Sequence, residues 1–150
     1  MMSELILEIK PKEGLGIIKF GEIPENVTKI IGAPGSAEDI PSDDDLKTTI
    51  LSFDIGVTVF LEGLVEPIVS HFDCDNEKAT LYGEKIFEMK EDAIEKLMKA
   101  NGFTEIEKED EEWGEVRLTF EDAMMDFYFV DKKLTAVNWG VFINEDGSRQ

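Results

Sequence analysis

Val116-Arg117-Leu118-Thr119-Phe120, Asp126-Phe127-Tyr128-Phe129-Val130 and Leu134-Thr135-Ala136-Val137-Asn138-Trp139-Gly140-Val141 follow one another with short polar breaks between them. Successive side chains of a strand point to opposite faces, so a period of two marks a strand with one buried side. Val116, Leu118 and Phe120 take one side, and Arg117, Thr119 and Glu121 the other. Asp131-Lys132-Lys133 reads as the turn between the last two runs. Connections this short make the strands antiparallel neighbours, because parallel strands need a crossover of roughly a dozen residues or more.

Upstream of these strands the period changes. Ile94, Leu97 and Met98 recur at helical spacing within 90–100, and Asn101-Gly102 supplies a left-handed ending. Glu107-Lys108-Glu109-Asp110-Glu111-Glu112 then leads to Trp113-Gly114, as a solvated strand end or an acidic loop. The same order occurs earlier in the chain. Pro24 suits a first helical turn, Val27, Ile30 and Ile31 form an apolar stripe, and Gly32, Pro34 and Gly35 stop the helix. A shift of 67 residues sets Leu15-Gly16 on Tyr82-Gly83, Phe20 on Phe87, and Val27, Ile30 and Ile31 on Ile94, Leu97 and Met98. Leu51 and Phe53 fall on Leu118 and Phe120; one more residue of slippage brings Val57, Val59 and Leu61 onto Met125, Phe127 and Phe129. The pattern describes an α+β chain of two repeats, 1–75 and 76–150, packed as a single compact unit. Each repeat has helix followed by a three- to four-stranded antiparallel sheet, with helices on one sheet face and the opposite face open.

The stretch Ile18-Lys19-Phe20-Gly21, Val27 and Ile31-Gly32-Ala33-Pro34 resembles the opening of the repeat in proteins with the β-lactamase-inhibitory-protein-like fold. That group includes small outer-membrane assembly lipoproteins. The second copy keeps Phe87, Ile94 and Leu97, with Asn101-Gly102 in place of the Gly-x-Pro ending. The resemblance implies a helix–loop–helix and a four-stranded sheet per repeat, two repeats side by side, and a concave sheet surface. It also implies protein binding and inhibition as the activity, without catalysis. Lacking a lipid-attachment cysteine and a cysteine pair, the chain takes over only the architecture and the binding habit.

Composition narrows the partner. A chain of 150 residues buries roughly 70% of its unfolded surface and needs no covalent staple. Its one cysteine, Cys74, suits a reducing compartment. The first ten residues have no basic segment before an apolar one, and no apolar run is long enough to span a bilayer, so a bacterial cytoplasmic protein is expected. The net charge of −19 is spread almost evenly over both halves. Such a field repels nucleic acid and anionic membrane and attracts a basic protein, although it also serves solubility alone.

Chemistry-bearing residues are few. His71-Phe72-Asp73-Cys74-Asp75 contains metal-ligand types, but one His and one Cys fall short of a zinc set, and strand alternation separates them. A calcium loop from Asp73 fails at its sixth position, Lys78, where glycine is required. Ser70 precedes the only histidine, yet adjacent strand residues face opposite sides. Gly14-Leu15-Gly16 lacks the third glycine of a phosphate loop. Hence no enzyme, no cofactor and no metal are expected.

The open sheet face is more informative. With Phe53, Val57, Val59 and Leu61 turned to the helices, Phe60 points away; with Phe127 and Phe129 inward, Tyr128 points away at the matching place. Val137 and Trp139 leave Asn138 outward, in line with Ser70. Phe60, Tyr128, Arg117, Asn138 and Ser70 thus make a candidate partner-binding face, rich in the aromatic and Arg types of interface centres. The competing use of the same residues is packing between repeats or in a homodimer. Asp43, Asp44, Asp45, Glu109 and Glu111 would rim that face or simply be solvated loop charge. The function expected is a non-catalytic acidic protein-binding module, in its sharpest form an immunity or inhibitor protein against a basic partner. The alternatives are a small-ligand-binding or regulatory domain and a self-associating structural protein.

Overall fold

The computed structural model describes residues 7–40, 47–63, 66–110 and 114–141. Among them the chain runs β1 (Glu8–Lys10), β2 (Gly14–Leu15), β3 (Ile18–Lys19), α1 (Pro24–Ile31), β4 (Ser36–Ile40), β5 (Lys47–Phe53), β6 (Val57–Gly63) and β7 (Ile68–Cys74). It continues with β8 (Thr80–Leu81), β9 (Glu84–Lys85), a 3-10 turn (Ile86–Glu88), α2 (Glu91–Ala100), β10 (Ile106–Asp110), β11 (Glu115–Phe120), β12 (Met125–Val130) and β13 (Lys133–Gly140).

The long strands form one antiparallel sheet of eight, in the order β10-β11-β12-β13-β7-β6-β5-β4. The short ones form a mixed sheet of five, in the order β3-β2-β1-β8-β9, with β1 and β8 parallel. The chain is therefore α+β, as the sequence predicts, but two details differ. The helix–loop–helix expected in each half is a lone α1 in the first and a 3-10 turn before α2 in the second. The inner face of the large sheet is also not covered by helices alone. Its side chains share one buried cluster with Val27, Ile94 and Met98 of the helices and with Ile9, Leu15, Ile18 and Leu81 of the small sheet.

Local chemistry sets the helix ends. α1 starts with Pro24 in its first turn, and Glu22 Oε1 accepts hydrogen bonds from the Ile23 amide and Asn26 Nδ2. α2 carries Glu91 and Asp92 in its first turn and Lys99 in its last, both favourable to the helix dipole. It ends with Gly102 at φ 92, where the Gly102 and Phe103 amides reach back to the Lys99 and Met98 carbonyls. That is the Schellman ending expected from Asn101-Gly102. The β12–β13 turn is tighter than predicted. Asp131 and Lys132 both have positive φ, and Lys133 already belongs to the strand.

The large sheet is closed in its middle by β7 and β13, with Trp139 opposite Phe72. Their rings stack with centroids 5.4 Å apart, and Phe72 meets Phe20 at the same distance. Trp139 Nε1 donates to the Gly14 carbonyl at 3.0 Å, tying the large sheet to the small one. Gly14 is required there, because a Cβ would lie 1.9 Å from the Ile18 carbonyl oxygen. Among the described residues no helix is long and apolar enough to cross a membrane.

Trp139→Phe leaves the Gly14 carbonyl without its buried donor and opens a cavity. We expect a loss of about 2–4 kcal/mol, read as a lower urea midpoint at unchanged slope by far-ultraviolet circular dichroism. A midpoint equal to wild type would mean that this contact does not hold the two sheets together.

Candidate functional site

The face of the large sheet turned away from the core is built by the alternate residues of each strand. Register sets Thr58, Asp73, Asn138, Asp126 and Thr119 in one line across β6, β7, β13, β12 and β11. Phe60 lies in the next line between Ile50 and His71, and Tyr128 lies between Arg117 and Ala136. Phe60, Tyr128, Arg117 and Asn138 are all partly exposed, on the side where alternation predicts them.

The two aromatic rings stand at matching irregularities. The β6–β7 register shifts between Phe60 and Leu61, leaving Ser70 as the extra residue of a bulge. The β12–β13 register shifts between Tyr128 and Phe129, leaving Thr135 extra. In both places the hydroxyl of the extra residue donates to the carbonyl of the aromatic residue, Ser70 Oγ to Phe60 at 3.2 Å and Thr135 Oγ1 to Tyr128 at 3.1 Å. Bulges of this kind re-aim side chains and increase local twist. A Ser or Thr one strand away from an outward aromatic was visible in the sequence, but no register existed there to link the two.

The Ser70 bulge corrects one expectation. Ser70 is fully buried and does not share the open face; the β7 residue beside Asn138 is Asp73. The bulge also brings Ser70 Oγ within 3.1 Å of His71 Nδ1, although strict alternation sets adjacent residues apart. The hydroxyl is sealed from solvent and already donates to a carbonyl, so the pair serves the bulge. The His71 ring lies over Gly140, where a Cβ would come 2.1 Å from Cδ2.

Arg117 is engaged within the sheet. It forms an ion pair with Glu109 and a hydrogen bond with Tyr128. Glu109 therefore neutralises a cation on the face itself instead of standing as a free rim charge. Asp43, Asp44, Asp45 and Glu111 lie outside the described residues.

Electrostatics centre on the polar line. Thr119 Oγ1 donates to Asp126 at 2.5 Å. Burial and then the neighbouring Asp75 push the Asp73 carboxyl above its ordinary value, against a hydrogen bond from Asn138. Burial lowers the His71 imidazole, with Glu62 and Asp126 opposing. Cys74, inward on the same strand, is pushed up to about 11, first by burial, so it is a poor nucleophile at neutral pH. His71 and Cys74 face opposite sides of β7. Among the described residues no three His, Cys, Asp or Glu side chains converge as a metal site requires. In the loop after β7, Asn76 bonds the Ile55 carbonyl and the Lys78 amide, so its side chain shapes the turn.

Between the sheet and the elements covering it the space is filled by Phe72, Phe120, Phe127, Phe129 and Trp139, all fully buried. A groove of about 530 Å³ lies elsewhere, beside the small sheet, lined by Glu8, Ile9, Lys10, Pro11, Glu13, Tyr82 and Gly83.

No protein-family profile and no curated protein matches the chain. A similar solved structure is the crystal structure of an extracellular protein containing an SCP domain from Bacillus anthracis strain Ames, with 17% identity and a TM-score of 0.47. The match covers 93% of this chain and 49% of that one, so the chain spans about half the length of that protein. This finding corrects the resemblance to the β-lactamase-inhibitory-protein-like repeat. The structural similarity found is to an SCP-domain protein, and the helix–loop–helix which the resemblance implies is missing from the described residues of both halves.

The charge line carries a pH prediction. A folded-state Asp73 that holds its proton to higher pH than in the unfolded chain costs stability as pH rises through the interval between the two values. Asp73→Asn removes that cost. At pH 7 we expect a melting temperature above wild type, worth up to about 1 kcal/mol for a group that is only partly buried. The gap should close as pH falls below about 4, the ordinary carboxylate range. A variant less stable than wild type at pH 7 would contradict this.

Proposed function

We propose that the chain is a non-catalytic protein-binding module which docks a basic partner on the open face of its eight-stranded sheet. The observation that carries the reading is the placement of Phe60 and Tyr128. Each is partly exposed at a hydroxyl-braced bulge, and the acids Asp73 and Asp126 lie in the polar line that passes between their positions. Aromatic residues beside polar groups are the usual energetic centre of an interface. The net charge of −19 adds attraction for a cationic surface. A filled core favours this over a small ligand held between sheet and helices.

Two repeats, 1–75 and 76–150, are part of the same reading. Their support is the large sheet itself: β4–β7 and β10–β13 are two four-stranded meanders, each after a helix, which meet at β7 and β13. Phe60 and Tyr128, with their bulges, then stand in equivalent places. An immunity or inhibitor role against a basic toxin is the sharpest form of the proposal. Self-association through the same face is the alternative that the same residues leave open.

The test is capture from lysate by the immobilised chain, paired with light scattering on the free chain. A basic protein should be retained, released as salt screens charge, and bound about 30-fold more weakly by Phe60→Ala or Tyr128→Ala, the level of an interface hot spot. Lys85→Ala, on the small sheet, should change nothing. Retention indifferent to salt and to both aromatic variants would overturn the proposal. A dimer broken by the same two variants would favour self-association.

A further inference from the structure

The eight-stranded sheet ends at β10 on one side and at β4 on the other. A strand paired on one side only presents alternate amides and carbonyls outward, ready for another strand. The two edges are not alike. β10 is exposed from Glu107 to Asp110, but its side chains are tied to the rest of the fold: Ile106 packs against the core, Lys108 bridges to Glu91 of α2 at 3.1 Å, and Glu109 pairs with Arg117. In β4 all five residues, Ser36-Ala37-Glu38-Asp39-Ile40, are exposed, so neither of its faces is covered. Among the described residues it pairs with β5 alone, with Glu38 opposite Ile50 and Asp39 opposite Thr49, whose hydroxyl donates to the Asp39 carboxylate at 2.8 Å. Adjacent strand residues face opposite sides, so Glu38 stands on the open face and Asp39 on the other.

The geometry points to β4 as a strand-addition site for an extended basic segment of a partner protein. Two neighbouring cations on such a segment would meet Glu38 on one face and Asp39 on the other, and an apolar residue would cover Ile40, which is 40% exposed. A second copy of this chain is the wrong occupant. Pairing β4 with its own copy about a two-fold axis, in the register that overlaps all five residues, sets Glu38 against Glu38, and like charges directly opposite destabilise a pair. The inference takes the partner's basic character from the function proposed above, but the site is separate from Phe60 and Tyr128.

The probe is a capped peptide, Thr-Val-Lys-Lys-Val-Thr, added to the full chain labelled for amide NMR. Binding should be saturable, with shifts and slowed amide exchange at residues 36–40. A Glu-Glu peptide of the same frame should bind at least tenfold more weakly. Two N-methylated versions of the Lys-Lys peptide, each blocking one set of alternate amides, keep its charge. One of them should also lose at least tenfold. Equal binding by both methylated peptides, shifts elsewhere than β4, or no saturable binding overturns the strand-addition site. Tyr128→Ala should leave peptide binding unchanged. If it abolishes the peptide shifts, the edge proposal fails and the open face remains; if peptide binding stands while lysate capture fails, the open face alone is lost.

Discussion

The structure depends on the pairing of β7 with β13 and on the ring that lies at its centre. Among the described residues, strands of the two halves meet nowhere else in the large sheet. Without that ladder the chain would present two four-stranded sheets, each with an unpaired inner edge, a form open to aggregation. Trp139 makes the junction more than a row of backbone bonds. Its ring stacks on Phe72 from the opposite half and its indole N–H reaches Gly14, so one side chain joins both meanders and the small sheet. Burial of an aromatic side chain of this size stabilises by about 2–3 kcal/mol. The indole hydrogen bond fixes the orientation in which that burial is possible.

The open face follows from that closure. Once the inner side is filled by Phe72, Phe120, Phe127, Phe129 and Trp139, alternation turns the remaining residues outward. What lies outward is unevenly charged. Asp73 and Asp126 flank Asn138, while the nearest cation in the register, Arg117, is held by Glu109. Partial burial there raises Asp73 and depresses His71, so both groups resist charge. A cationic partner surface relieves the acidic side of that imbalance, which is the physical basis of the docking proposal.

Much of this architecture is legible in the residues. Period-two alternation in 116–141 gives the last three strands and their faces, and helical spacing with Asn101-Gly102 gives α2 and its ending. Phe60 and Tyr128 are placed outward by the same counting, because alternation needs no knowledge of neighbours. Ser70 escapes it, since a bulge is a property of two strands together and breaks the count in one of them. The small sheet escapes it too. Strands of two or three residues are too short to show a period, and the parallel β1–β8 pair joins residues about seventy positions apart. Arg117 reads as an interface residue by type, yet the register that sets it between Glu109 and Tyr128 is a tertiary fact. The likeness to a known inhibitor repeat rested on a short glycine- and proline-bearing stretch, which specifies the end of a helix and leaves the layers around it undetermined.

Native-state amide hydrogen exchange, resolved by residue, tests the central junction most directly. We expect the amides of Phe72, Cys74, Val137 and Trp139, which point across β7–β13, to exchange only through global unfolding and to be among the slowest in the chain. β7–β13 amides exchanging as fast as those of the edge strands β4 and β10 would contradict this, and would mean that the two halves of the sheet open independently.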